Sequence, residues 1–266
     1  LALKCMPASR IRTLLIEDSA FMRKVIGDII RNDDSLELIG TASDGRTGSE
    51  MALSLKPDVI ITDMVMPQYD GMYVVRSVME KQPVPIILLS SLEKTNVRIF
   101  DALQQGAFEF IDKPINIDGF QANNYPLVEL IRQASRTDIS LLKAKQLAKR
   151  NTSAHTFSQH LNYDIVVIGA STGGPGALEQ ILTNLPANLQ IPVLVAQHMP
   201  ARFLETFSTR LNDHCPLPVK LTHRGESIKG GVIYIASGEA NFRVESNLVN
   251  GTPMFTTTNQ KYQEFN

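Results

Sequence analysis

Three carboxylates follow two apolar runs of this sequence. Glu17 and Asp18 come after Ile11–Ile16, and Asp63 comes two residues beyond Val59–Ile61. If those runs are the first and third strands of an open parallel sheet ordered 2-1-3-4-5, their carboxyl ends are neighbours and the three acids share one crevice. Their mutual repulsion is costly unless a cation intervenes, and Mg²⁺, which prefers hard oxygen ligands, is the natural guest. Two further groups belong at the same edge: Ser90, with Ser91 beside it, after Ile86–Leu89, and Lys113-Pro114 after Phe108–Ile111. Acids, cation, hydroxyl and ammonium together describe a phosphoryl-accepting site, with Asp63 as nucleophile and Ser90 and Lys113 holding the phosphoryl oxygens.

A second constellation lies in the other half of the chain. Gly169-Ala170-Ser171-Thr172-Gly173 fits G-x-S-x-G between the apolar run Ile165–Ile168 and a helix opened by Pro175. A strand-to-helix turn of this kind lifts a serine hydroxyl to the sheet edge, where backbone N–H groups at the helix start can stabilise an oxyanion. One β-α unit later His198 ends Val193–Gln197, and adjacent parallel strands bring its ring toward Ser171, the minimum pair for acyl transfer. The run GASTGGPG also reads as an anion-binding glycine loop at a helix start, although neither G-x-x-x-x-G-K-[ST] nor G-x-G-x-x-G is present. His155, His160, His214 and His223 read as ordinary surface or core histidines.

The elements needed to hold these groups are legible. Strands are predicted at Ile11–Ile16, Leu36–Thr41, Val59–Ile61, Ile86–Leu89 and Phe108–Ile111, with helices such as Ala20–Ile30 and Val97–Leu103 between them. Five β-α repeats with nearly continuous apolar strands predict a flavodoxin-like, doubly wound parallel sheet over residues 1–125. A helix over Leu127–Lys149 then turns basic at Lys143, Lys145, Lys149 and Arg150 and runs into polar NTSAHTFSQH, so 126–160 reads as a helical linker. Residues 161–266 read as a second α/β domain. It has a helix from about Gly176 to Leu185, another over Arg202–Leu211, and strands around Val232–Ile235, Phe242–Glu245 and Met254–Thr258. Two helices and a hairpin region cover such a sheet thinly, and the domain is expected to be incomplete at its C-terminus.

Composition narrows the functional classes. The 266 residues are 43% hydrophobic and 20% charged with a net charge of -1, which excludes disorder and gives no global electrostatic case for nucleic acid or an anionic membrane. Two cysteines, Cys5 and Cys215, cannot build a disulfide framework, and runs such as Val84–Leu89 are far too short to span a bilayer. A cytoplasmic protein is expected.

The motifs IEDSAFMR, DVIITDMVMPQYDG, LLSSL and FIDKP resemble the receiver domains of two-component response regulators over about Ile11–Gly119. That resemblance implies phosphorylation of Asp63, Mg²⁺ held by Glu17, Asp18 and Asp63 with a backbone carbonyl near Val65, and Ser90 with Phe110 as a switch pair beside Lys113. VVIGASTGGPGAL and AQHMPARFLETFSTRLN are similar to the catalytic domain of the chemotaxis response-regulator methylesterases, the protein-glutamate methylesterase/glutaminases. Receiver, linker and this domain in this order is that family's architecture. It implies cofactor-free hydrolysis of γ-glutamyl methyl esters, and deamidation of glutamines, on chemoreceptors, with Ser171 as nucleophile, His198 as base and Thr172 in the nucleophile turn. The implied partners are a chemotaxis histidine kinase and methylated chemoreceptors, the latter giving the only association with a membrane.

The family's orienting aspartate comes from a loop G-M-G-x-D-G, which this sequence does not contain. Asp213, in a helix-end context, is the one aspartate after Asp164, and this chain is therefore expected to have little esterase activity. The competing expectation is a non-enzymatic regulator that accepts phosphoryl groups and binds receptors without hydrolysis. A DNA-binding regulator is disfavoured because residues 127–266 carry no helix-turn-helix pattern.

Overall fold

The computed structural model describes residues 9–90, 96–113, 126–140, 163–238, 241–246 and 251–258. The chain divides into two compact units, Leu1–Lys149 and Arg150–Asn266. Each is an α/β structure built on a parallel sheet.

In the first unit, β1 (Ile11–Ile16), β2 (Leu36–Ala42), β3 (Val59–Asp63), β4 (Ile86–Ser90) and β5 (Glu109–Asp112) pair in the order β2-β1-β3-β4-β5, every pairing parallel. This is the predicted order. Strands such as Val59–Asp63 and Ile86–Ser90 are buried at every position, so both faces of the sheet must be covered. The helices are α1 (Ala20–Arg31), α2 (Gly45–Leu55), α3 (Gly71–Lys81), α4 (Asn96–Gln104) and α5 (Leu127–Ser135). Leu15, Val59, Ile61, Ile87 and Leu89 form one core layer with Ile26 and Ile30 of α1. On the opposite face Gly48 lets α2 sit against Ile16, where a Cβ would lie 2.4 Å from the isoleucine Cδ1. Three helices begin directly after strand-end loops, each stopped by a side-chain cap: Ser19, Asp44 and Asp70 accept the N–H of Met22, Thr47 and Tyr73.

The helix following β5 differs from expectation. Instead of a single helix over Leu127–Lys149, α5 ends at Ser135 with Arg136 as its C-cap. Leu127, Leu130, Ile131 and Ala134 enter the same core layer as α1, and Arg132 pairs with Asp33 at 2.8 Å. Thus α5 is a core element of the first unit, whereas the sequence pattern places it in a linker. The reason is its apolar face, which at 3.6-residue spacing is as well suited to a sheet as those of the preceding helices. The basic run Lys143–Arg150 and residues 151–160 lie outside the described residues.

The second unit contains β6 (Val166–Ala170), β7 (Val193–Gln197), β8 (Val219–Leu221) and β9 (Ile233–Ile235), all parallel in the order β6-β7-β9-β8. Among the described residues its helices are α6 (Gly174–Leu182) and α7 (Ala201–His214), and β10 (Asn241–Ser246) with β11 (Pro253–Thr258) forms an antiparallel hairpin. The three-residue β8 is too short to leave a period in the sequence. Phe255 of the hairpin packs on Tyr234 of β9, joining hairpin to sheet. On β6, Val167 is 69% exposed.

If α5 belongs to the core, Ile131→Ala should destabilise the first unit by about 2–4 kcal/mol. Urea unfolding of the full chain measures this; a cost within about 0.5 kcal/mol, as for a surface site, would show that the helix is peripheral.

Candidate functional site

The acids of the first unit meet as their spacing predicts. One carboxylate oxygen from each of Glu17, Asp18 and Asp63 lies within 4.8 Å of the others, with Glu17 and Asp63 buried and Asp18 exposed. Lys113, after β5, reaches both buried acids: its Nζ is 2.6 Å from Glu17 Oε2 and 2.7 Å from Asp63 Oδ2. Backbone donors hold the other oxygens, Ser19 N–H to Glu17 Oε1 at 3.2 Å and Val65 N–H to Asp63 Oδ1 at 3.2 Å. One ammonium against two buried carboxylates leaves excess negative charge. Burial raises the carboxyls of both Asp63 and Glu17 above their ordinary values, against the opposing pull of Lys113. A donor set made wholly of hard oxygens, three carboxylates with net negative charge, fits Mg²⁺.

Ser90 is buried at the end of β4, and its carbonyl accepts the N–H of Lys113 at 2.8 Å. Phe110 is half-buried, its ring edge-on to Phe100 with centroids 6.5 Å apart. Leu88 faces Phe110 and Ser90 faces Asp112 across the β4–β5 ladder, so Ser90 and Phe110 sit two pairs apart on adjacent strands. Ser91 and Pro114 lie outside the described residues.

Two contributors were not singled out from sequence. Arg23, one turn into α1, donates to the carbonyls of Glu17 and Asp18 at 2.5 and 2.7 Å and fixes the backbone of the acidic loop. Gly71 opens α3 so close to β3 that a Cβ there would be 2.5 Å from the Asp63 carbonyl oxygen. The Asp-Gly pair at 70–71 signals the cap, but the close approach to Asp63 exists only in the fold.

In the second unit the strand-turn-helix is as expected. Ser171 follows β6, Gly173 takes a left-handed φ of 72°, and Gly174 N–H closes the turn on the Ser171 carbonyl at 2.7 Å. The left-handed conformation is one that glycine adopts without a Cβ penalty. Ala170 lies opposite Gln197 in the parallel register, and His198 N–H donates to the Ala170 carbonyl at 2.8 Å. Those contacts bring Ser171 Oγ to 3.4 Å from His198 Nδ1. With the imidazole proton on Nε2, Nδ1 is the acceptor facing the hydroxyl; unliganded catalytic hydrogen bonds are commonly this long. Both side chains are exposed at an open cleft of about 520 Å³ whose walls include Gly169, Gln197, Ala236 and Gly238. Thr172 is exposed in the same turn.

Among the described residues no carboxylate is hydrogen-bonded to His198. Asp213 is exposed on α7, Glu226 pairs with Lys220, and Glu239 lies outside the described residues. The helix behind the serine is anchored by a feature that sequence reasoning missed: buried Glu179 of α6 pairs with Arg210 of α7 at 3.1 Å.

An acid cluster with a lysine at the edge of a β2-β1-β3-β4-β5 sheet, in one chain with a serine elbow facing a histidine, defines a response-regulator receiver joined to a serine-hydrolase-like α/β domain. Family models agree: residues 13–123 match the response regulator receiver domain and residues 166–265 match CheB methylesterase. A protein-glutamate methylesterase/protein-glutamine glutaminase of Oceanobacillus iheyensis is 36% identical over 244 residues, 89% of this chain and 69% of that protein. The chain belongs to the CheB protein-glutamate methylesterase/protein-glutamine glutaminase family, whose named members are hydrolases. Among solved structures, the response regulator domain of Thermotoga maritima CheB is 40% identical, covering 48% of this chain and 98% of that one, with a TM-score of 0.45. The Thermotoga maritima CheB methylesterase catalytic domain is 38% identical over 39% of this chain, with a TM-score of 0.36, and this chain spans 54% of its length. Among the described residues, no helix is long and apolar enough to cross a membrane.

The raised carboxyls carry a pH dependence. An acid whose folded value lies above its unfolded one stabilises the fold while protonated and loses that contribution as pH rises through the raised value. In chelator-containing buffer, the melting temperature of the parent should fall relative to Asp63→Asn as pH rises from about 4 to about 7. Adding Mg²⁺ should narrow the gap, by preferential binding to the folded parent. A gap independent of pH and of Mg²⁺ would contradict the charge crowding described.

Proposed function

We propose that this protein is a phosphorylation-regulated hydrolase of protein γ-glutamyl methyl esters, also deamidating glutamine side chains, and that its substrates are chemoreceptors. The observation that carries the reading is the 3.4 Å approach of Ser171 Oγ to His198 Nδ1 at an open cleft, in the same chain as the Asp63 cluster. Ser171 Oγ attacks the ester carbonyl carbon while His198 Nδ1 takes its proton. The tetrahedral centre collapses, the bond to the methoxy oxygen breaks, and the imidazolium returns the proton so that methanol leaves. Water then attacks the acyl-serine with His198 again accepting the proton, which releases a glutamate side chain and restores Ser171. For a glutamine side chain the same steps expel ammonia. The open cleft suits a side chain presented on the surface of another protein.

In the first unit, Asp63 Oδ attacks the phosphorus of a phosphohistidine on a chemotaxis kinase or of a small donor, forming an acyl phosphate as the P–N or P–O bond to the donor breaks. Glu17, Asp18 and Asp63 would hold Mg²⁺, which when bound neutralises charge on the phosphoryl oxygens. Lys113 balances the buried acids, and Ser90 with Phe110 forms the element that senses the new group. Cytoplasmic residence accords with a kinase donor and with receptor substrates reached from that side.

A second reading, a regulator that accepts phosphoryl groups without hydrolysing anything, is favoured by one observation: His198 has no carboxylate partner among the described residues. In the serine-protease template, losing that partner's charge costs about 10⁴ in rate.

Incubation with acetyl phosphate and Mg²⁺ should add one phosphoryl group by intact mass, and Asp63→Asn should abolish it. Ser171→Ala and His198→Gln should each abolish whatever methanol release from methylated receptor membranes the parent shows and leave phosphorylation intact. Release unaffected by Ser171→Ala would remove the serine from the mechanism. A parent that takes up phosphate but releases no methanol would establish the second reading.

A further inference from the structure

Gln197 is the last residue of β7, and the alternation of that strand turns Val193, Val195 and Gln197 to the same buried face. Where the period calls for an apolar side chain there is a carboxamide, 8% exposed. Its Nε2 donates twice, to the Ser171 carbonyl at 3.1 Å and to the His198 carbonyl at 2.9 Å. Two carbonyl acceptors admit only the NH₂ end of the amide, so its orientation follows from its partners. One side chain thus ties the peptide of the serine to the peptide of the histidine. Oε1 is left buried without a hydrogen-bond partner. It faces Gly174, where a Cβ would lie 2.0 Å from it, so the carboxamide fits only because position 174 has no side chain. Gly174 has no positive φ, and its requirement is one of space.

We propose that Gln197 is a positioning residue for the Ser171–His198 pair, clamping the two turns in register, and that Gly174 is the cradle which admits it. The proposal rests on the reading of Ser171 and His198 as nucleophile and base. Burying an amide with one unsatisfied oxygen is unfavourable in itself. What the amide secures is the relative placement of two turns that are exposed and that no carboxylate steadies among the described residues. A hydrophobic residue of the same length would fill the space and leave both carbonyls to find other donors. Glutamate would set a carboxylate against them.

The test uses the thiol as a reporter, which needs no hydrolytic turnover. In the full chain carrying Cys5→Ser, Ser171→Cys places a thiol at the pair, and its alkylation by iodoacetamide is followed by peptide mass against pH. Burial pushes the remaining Cys215 thiol up to about 12, which keeps it out of the reaction near neutrality. An imidazole held in register stabilises the thiolate and draws the introduced thiol below the ordinary value of about 8.5. His198→Ala should return it to that value and slow alkylation at about pH 7 by up to about tenfold. Gln197→Met, close in volume, and Gly174→Ala, which leaves the glutamine chemically intact, should each reproduce most of that slowing, with the fold verified by circular dichroism. If His198→Ala shifts the profile and every folded variant of the other two leaves it in place, the positioning role is overturned while the pair stands. If His198→Ala also leaves the profile unmoved, the pair itself is wrong, and the proposal falls with it.

Discussion

A charged group placed along a parallel strand that is covered on both faces would lose its hydration and gain no partner, at a cost of several kcal/mol or more. Two central strands obey that constraint: β3 and β4 are buried at every position, and their polar chemistry is confined to the carboxyl ends. Asp63 and Ser90 are the final residues of these strands, and Glu17 follows β1 by one. Because β1 and β3 are neighbours in the strand order, two acids from distant stretches of sequence arrive at one point. The rest of the site, from the double ion pair of Lys113 to the exclusion of any side chain at Gly71, follows from having to accommodate that arrival.

The two units hold their candidate side chains by different means. In the first, buried charge is balanced by buried charge, and the balance is short by one: an ammonium faces two carboxylates, with burial holding their protons more tightly than usual. An arrangement that is uncomfortable without an added cation is one that a divalent ion stabilises. In the second, no carboxylate among the described residues is bonded to His198. Backbone hydrogen bonds from Gly174 and His198 shape the turns, and the Gln197 carboxamide links them. Charge appears one layer back, where Glu179 and Arg210 lock α6 to α7.

Local signals were strong wherever a helix or strand carried its own period and its own cap. Ile11–Ile16 and Val193–Gln197 were legible to the residue, since apolar runs bounded by acids or by a histidine leave little freedom in placing their ends. The G-x-S-x-G turn and the convergence of Glu17, Asp18, Asp63 and Lys113 were legible for a related reason: their functional groups sit at fixed offsets from strand ends. The helix Leu127–Ser135 was not. Its apolar face is visible in sequence, but periodicity says that a helix has a buried side and not which surface buries it, and the Arg132–Asp33 pair that pins it spans 99 positions.

The sequence by itself determined the class of fold, the strand order of the first sheet, the family, and the residues at which chemistry would be sought, because these depend on residue type and on short-range spacing. Only the tertiary structure decided what supports them. The empty position at Gly71 against the Asp63 carbonyl depends on how α3 packs back on β3, and the empty position at Gly174 against Gln197 and the Glu179–Arg210 pair are meetings of different β-α units. A glycine in sequence permits many backbones, and a buried glutamine at a strand end reads as an ordinary polar terminus. It is the packing of one element on another that turns the first into a required space and the second into a bridge between the Ser171 and His198 turns.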